Sequence, residues 1–134
     1  MQGLVPVPGP WAGGAPVVAN GSVFSLKEAE ELRERTGVDG IMSARGLLRN
    51  PALFAGHEVT PLECIKRYAE LAMSYGTTTF IFHHHLMFMM EGIMSSAEKC
   101  TFNVLSSIPA ILEHLEQGYG IVPSFGEQHG RPLP

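Results

Sequence analysis

The sequence predicts an α/β chain in which one strand–helix–strand unit is followed by a small helical bundle. Three observations predict it. Two short apolar runs, Val17-Val18-Ala19 and Gly40-Ile41-Met42-Ser43-Ala44, flank a capped helical segment with tight links on either side. From about Thr60 the apolar residues recur at steps of three and four, as on one face of a helix. Glycine and proline crowd the two ends, with eight in residues 1–16 and seven in residues 118–134. Both residues break helical and strand periodicity, so the ends read as irregular.

The elements follow in order. Val17-Val18-Ala19 is β-prone and ends in the turn signal Asn20-Gly21. Ser25-Leu26-Lys27-Glu28 is a capping box, in which the Ser25 hydroxyl accepts a helical N–H and Glu28 reaches back to the Ser25 amide. The helix runs to about Thr36, with Gly37 as its C-cap. The second strand ends at Arg45-Gly46. Strands joined through one tight helical crossover should be parallel.

Asn50-Pro51 reads as a cap followed by a first helical residue. Thr60-Pro61-Leu62-Glu63 reads as a second capping box, and Leu62, Ile65, Ala69 and Ala72 share one face of the helix it opens. Gly76 ends that helix. The next, from about Thr79 to Ser95, is apolar nearly all round, which implies burial among other helices. A further helix spans about Ala97 to Ser106, and Pro109 starts or kinks a last one reaching Gln117. The expected organisation is a disordered leader over 1–15, a βα part over 16–57, a helical part over 58–117 and a disordered tail over 118–134.

Composition excludes several classes. At 134 residues the chain is too short for a complete (β/α)₈ barrel of about 250. With 45% hydrophobic and 16% charged residues it is globular rather than disordered. A net charge of −4 argues against a self-sufficient nucleic-acid clamp. Cys64 and Cys100 are far apart without CxxC spacing, which suggests a reducing compartment and no zinc site or disulfide framework. No apolar run reaches the ~20 residues of a membrane span, and no basic n-region of a secretion signal is seen. A soluble intracellular protein, cytoplasmic with the nucleus as alternative, is the expectation.

Two loops carry candidate chemistry. Ala19-Asn20-Gly21-Ser22 lies between a strand and a capped helix, where backbone N–H groups and a helix dipole favour an anion. Ser43-Ala44-Arg45-Gly46 follows the next strand, where Gly46 permits close backbone approach and Arg45 can pair with a phosphate. Taken singly, each is also what a plain βα turn, or a surface Arg beside a loop Gly, produces. Two consecutive parallel strands ending in such loops say more than either alone.

These residues carry a family resemblance. Pro16-Val17-Val18-Ala19-Asn20-Gly21, the helix end Thr36-Gly37, and Val38-Asp39-Gly40-Ile41-Met42-Ser43-Ala44-Arg45-Gly46-Leu47-Leu48-Arg49-Asn50-Pro51-Ala52-Leu53-Phe54 resemble the end of the tRNA-dihydrouridine synthase barrel. Phe82-His83-His84-His85-Leu86-Met87-Phe88-Met89-Met90-Glu91 and Phe102-Asn103-Val104-Leu105-Ser106-Ser107 resemble that family's C-terminal helical domain, in its eukaryotic 4-like branch. The likeness runs from about Ala15 to Leu115.

The resemblance implies the last two βα units of a TIM-type FMN barrel followed by a helical tRNA-binding domain. It also implies a reaction: FMN, reduced by NADPH, passes hydride to a D-loop uridine of tRNA while a cysteine acts as general acid. Carried over by position, Asn20, Gly21 and Ser22 match the first FMN-phosphate loop, and Ala44 and Arg45 the second. The family usually has an acidic residue where Ser22 stands and often Gly where Ala44 stands. Its catalytic cysteine lies on an earlier barrel loop, whereas Cys64 and Cys100 fall in the helical part as small buried or half-buried residues. No catalytic residue is assigned. The expectation is a C-terminal portion, inactive alone, with a poorly anchored βα part, a firmer helical part and an unidentified barrel-completing chain. The alternatives are a non-catalytic tRNA-binding module and a truncated product without independent function.

His83-His84-His85 cannot converge on one metal, because neighbours on a helix are about 100° apart. Packing is the plainer role, with a tRNA phosphate contact for His84 or His85 as the alternative. Met87, Met89, Met90 and Met94 read as core filling. Arg33, Arg35, Lys66 and Arg67 read as solvated faces, leaving Arg45 and Arg49 as the basic candidates.

Overall fold

A computed structural model describes residues 14–124. They form a small parallel sheet and six α-helices, in two compact units divided between Val59 and Thr60.

The first unit begins with β1 (Val18–Asn20), α1 (Leu26–Thr36) and β2 (Gly40–Met42). The strands pair in parallel, with Val18 opposite Gly40, Ala19 opposite Ile41 and Asn20 opposite Met42. Asp39 fixes the start of the pairing. Its carboxylate accepts the Val17 N–H at 2.7 Å, and its own N–H donates to the Val17 carbonyl at 2.9 Å. Ala19 and Ile41 face α1 and pack on buried Val23, Ala29 and Leu32. The other sheet face is open, with Val18 52% and Met42 51% exposed.

α1 ends as expected at Gly37, whose φ of 68° suits glycine and whose N–H caps the Arg33 carbonyl. Its N-terminus differs by one residue from the expected box. Ser25 Oγ accepts the Glu28 N–H at 3.1 Å, but Glu28 Oε2 accepts from Phe24 N–H at 2.7 Å and not from Ser25.

A short helix, α2 (Arg45–Arg49), follows β2 directly. Asn50 closes it and does not open a helix at Pro51. Its side chain accepts the Ala52 N–H at 3.0 Å and donates to the His57 carbonyl at 2.6 Å, holding a tight turn and the 3-10 segment Leu53–Ala55.

The second unit is helical: α3 (Leu62–Ser74), α4 (Thr79–Met89), α5 (Ser96–Asn103) and α6 (Ile108–Tyr119). Its core holds fully buried Ile65, Phe82, Leu86, Met90, Phe102, Ile111 and Leu115. Ala69 and Ala72 let α4 approach α3 closely. Met89, Met90 and Met94 are buried, so the methionines fill core.

Several expectations are corrected. α3 starts at Leu62, and Pro61, expected as its first residue, stands instead at the N-cap in extended backbone. Leu62, in the first turn, is 43% exposed. α4 stops at Met89 rather than Ser95, because Ser95 is the extended N-cap of α5. There Ser95 Oγ accepts from Glu98 N–H while Glu98 Oε2 accepts from Ser95 N–H, a capping box. Nor is α4 buried all round: Phe80 is 76% and Ile81 47% exposed. α6 continues through Gly118 to Tyr119 and is capped by Gly120 at φ 66°. Beyond it Ile121 is buried in the core, and Ser124 N–H and Oγ–H donate to Glu70 Oε1 at 3.0 and 2.8 Å. The irregular stretch expected from 118 therefore begins after the cap. Residues 125–134, and residues 1–13 of the leader, lie outside the described residues.

Glu98 joins two helices. Besides capping α5, it accepts the Tyr119 hydroxyl at 2.9 Å. Its pKa is held below the ordinary 4.5, first by the Ser95 amide, then by the Ser95 and Tyr119 hydroxyls. Burial, and then this hydrogen bond, push Tyr119 up to about 12. A depressed carboxylate adds stability above its unfolded pKa and loses it as pH falls through the folded one. Glu98→Gln should therefore lower the Tm of the helical unit at neutral pH. The gap to wild type should close as pH falls through the carboxylate range, which melts at several pH values would read directly.

Candidate functional site

Because β1 and β2 are parallel and pair Asn20 with Met42, both end on the same side of the first unit. Their loops leave side by side and are tied together. Buried Ser43 donates its hydroxyl to the Val23 carbonyl at 2.6 Å. Arg45 Nη2 donates to Ser22 Oγ at 2.7 Å. Val23 anchors the first loop in the α1 core, and its N–H donates to the Gly21 carbonyl at 3.0 Å.

Gly46 sets how closely the loops approach. A Cβ there would strike the Val23 carbonyl oxygen and lie 2.5 Å from Ser43 Oγ and 2.8 Å from Leu53 Cδ1. At Gly21 a Cβ would meet nothing within 4 Å, so the space beside Ser22 is open.

Of the five residues singled out from sequence, Ser22 and Arg45 touch. Gly21 adjoins the open space. Asn20 stands exposed at the end of β1, and Ala44 is the exposed residue before α2. At the start of α1, Ser25 Oγ accepts the Glu28 N–H, and the Glu28 carboxylate accepts the Phe24 N–H just before the helix. An anion here relies on Arg45, the Ser22 hydroxyl and loop amides. These are exposed donors beside open space, and that donor set fits a phosphate.

Sequence reading missed Phe24. The guanidinium carbons of Arg45 and Arg49 lie over its ring, 5.9 and 5.5 Å from the centroid. The i, i+4 spacing of the two arginines is the signal that could have found it.

In the helical unit the three consecutive histidines diverge. His83 stacks on Phe102 at 4.8 Å and bonds its carbonyl through Nε2 at 2.8 Å. His84 is exposed between Phe80 and Phe88, and His85 tilts beside Tyr68 at 5.8 Å. Among the described residues, no group of three or more His, Cys, Asp or Glu is placed to hold a metal ion. Cys64 is half-buried on the core; Cys100 is exposed on α5, contrary to the buried or half-buried expectation. No described helix is long and apolar enough to cross a membrane.

Residues 12–116 match the family model described as dihydrouridine synthase (Dus). The chain belongs to the dihydrouridine synthase family. It is 56% identical over 106 residues to a Homo sapiens protein named as an NAD(P)+ tRNA-dihydrouridine(20a/20b) synthase-like protein, covering 79% of this chain and 33% of that one. The Mus musculus counterpart is 54% identical over 105 residues, covering 78% and 32%. The tRNA-dihydrouridine(20a/20b) synthase of Schizosaccharomyces pombe is 41% identical over 116 residues, covering 84% and 35%. The chain thus spans about a third of the length of the curated relatives it matches. Both tied loops of this dihydrouridine synthase family member lie inside the matched residues.

Proposed function

We propose that residues 14–59 form the FMN-phosphate corner of a tRNA-dihydrouridine synthase, as the last two βα units of its TIM-type barrel. On the same reading, residues 60–124 are the helical tRNA-binding part that follows. The observation that carries the proposal is the 2.7 Å bond from Arg45 to Ser22, which joins the two loops where two parallel strands end. Asn20, Gly21, Ser22, Ala44 and Arg45 would line the phosphate. Arg45 supplies the charge and the Ser22 hydroxyl a donor, and Gly21 leaves room for the group. When bound, FMN supplies the hydride chemistry on the uracil ring, with a reduced nicotinamide cofactor as reductant. The chain's own task is to hold the phosphate, and thereby orient the flavin.

A proton donor is not assigned. The two cysteines of these 134 residues lie on α3 and α5, in the helical unit. We take the chain by itself as binding-competent but not catalytic.

The test is FMN titration of the purified chain, read by flavin fluorescence. Saturable binding that Arg45→Ala weakens about tenfold supports the proposal, that being the scale of one charge-assisted hydrogen bond. Saturable binding indifferent to Arg45→Ala, or no binding, contradicts it.

A second reading is favoured by one observation: the helical unit holds its own core around Phe82 and Phe102. It could serve as a non-catalytic tRNA-binding module in the cytoplasm or nucleus. Salt-dependent tRNA binding without FMN would support that reading.

A further inference from the structure

We propose that residues 120–124 form a strap latched onto α3 by one carboxylate, Glu70, and that neutralising this carboxylate releases the strap as a single piece while α3 to α6 stay folded. The helical unit then contains an acid-sensitive switch that decides whether Ile121 completes its core. The inference is independent of the phosphate reading above.

The strap begins at Gly120, whose left-handed turn stops α6 and whose N–H caps the Glu116 and Leu115 carbonyls. Ile121 donates its N–H to the Leu115 carbonyl at 3.2 Å and buries its side chain in the core. Val122 is exposed and Pro123 buried, so inward and outward residues alternate as in an extended segment. The Pro123 ring fixes its own φ, which makes Ile121 and Ser124 the two ends of one stiff piece. At the far end both Ser124 donors, N–H and Oγ–H, converge on Glu70 Oε1 at 3.0 and 2.8 Å. The other oxygen, Oε2, accepts from Arg67 Nη1 at 3.4 Å, which orients the carboxylate. Hydrogen bonds to an ionised acceptor are about twice as strong as neutral ones, so a single protonation weakens both Ser124 bonds. The charged groups acting on Glu70 are Arg67 and Lys66 of its own helix. Among the described residues none from α4 or α6 does so, and residues 120–124 carry no ionisable side chain. The Ser124 amide, and then its hydroxyl, hold the Glu70 pKa below the ordinary 4.5. A depressed carboxylate stabilises above its unfolded pKa and loses that contribution as pH falls through the folded one. The latch is therefore closed at neutral pH and opens as pH falls below 4.5. Glu98 reaches the strap indirectly, because it accepts the hydroxyl of Tyr119, the residue before Gly120, and it titrates on the same side of 4.5.

The experiment measures residue-resolved amide protection in the full chain, as wild type, Glu70→Gln and Ser124→Ala, from neutral pH to below the carboxylate range. Protection factors divide out the intrinsic pH dependence of exchange. In wild type at neutral pH, the amides of Ser124 and Ile121 are both expected to be protected. Glu70→Gln should lower both together by about 5-fold, the scale of exchanging a charge-assisted hydrogen bond for a neutral one, and leave Ile65, Phe82 and Ile111 unchanged. Ser124→Ala, which keeps the backbone bond and the Glu70 charge, should lower them less. Wild type should reach the Glu70→Gln level as pH falls through the carboxylate range, whereas Glu70→Gln should stay level there. Protection lost at Ser124 with Ile121 still protected is local fraying and overturns the latch. An equal loss at Ile65 or Phe82 makes Glu70 a contributor to the stability of the whole unit and overturns it as well. A Glu70→Gln variant that keeps the wild-type pH response assigns the switch to Glu98, and the inference fails.

Discussion

Gly46→Ala should unfold the βα unit and leave the helical unit intact. The added methyl would press on a backbone carbonyl, a buried hydroxyl and a core methyl at once: the Val23 oxygen, Ser43 Oγ and Leu53 Cδ1. None is the free end of a flexible surface side chain, so relief requires the backbone to move. Overpacking of this kind costs about 3 kcal/mol. The unit has little to lose. Its strands are three residues each, one sheet face is open, and its central cluster is built on three buried residues, Val23, Ala29 and Leu32. Breaking the approach of α2 to the first loop also removes the Ser43–Val23 hydrogen bond. Amide hydrogen exchange should show protection lost at Val23, Ala29 and Leu32 but kept at Ile65, Phe82 and Ile111. Native protection in both units would show that the loops are not locked through Gly46.

The helical unit should be most sensitive at Phe102. Its ring is fully buried, stacks on His83 at 4.8 Å and lies 5.3 Å from the His114 ring. Its carbonyl can only accept, so His83 Nε2 carries the hydrogen in their 2.8 Å contact. Phe102→Ala removes the side chain that seats α5 and leaves a cavity lined by two imidazoles. The expected loss is about 3–5 kcal/mol, read as a fall in the urea midpoint of the helical transition. Val104→Ala, two residues on and 76% exposed, should change stability by less than about 0.5 kcal/mol. Equal effects at the two sites would contradict the placement of Phe102 in the core.

Much of this was legible in the sequence because it depends on local chemistry. Gly37 caps α1 because only glycine takes that left-handed turn easily, and a strand–helix–strand run with tight links leaves parallel pairing as the simple solution. Ile65, Ala69 and Ala72 announce their buried face by spacing. What was missed depends on competition between neighbours. The Ser95–Glu98 box cuts α4 short although the apolar run continues, since a cap requires extended backbone where a helix would otherwise go on. The outward Phe80 and Ile81 cannot be told from core by hydrophobicity alone. In the candidate site, Asn20, Gly21, Ser22, Ala44 and Arg45 were legible as loop residues. The Ser43–Val23 tie and the Phe24–Arg45–Arg49 stack were not, because they join residues about 20 apart that only the folded βα unit brings together.

The central claim is that one phosphate sits between the two loops. Residue-resolved amide shifts of the full chain on adding FMN test it most directly. The expected result is saturable shifts at Gly21, Ser22, Val23, Ala44 and Arg45, with the helical unit unmoved. Shifts confined to residues 60–124, or none at saturating FMN, would contradict it.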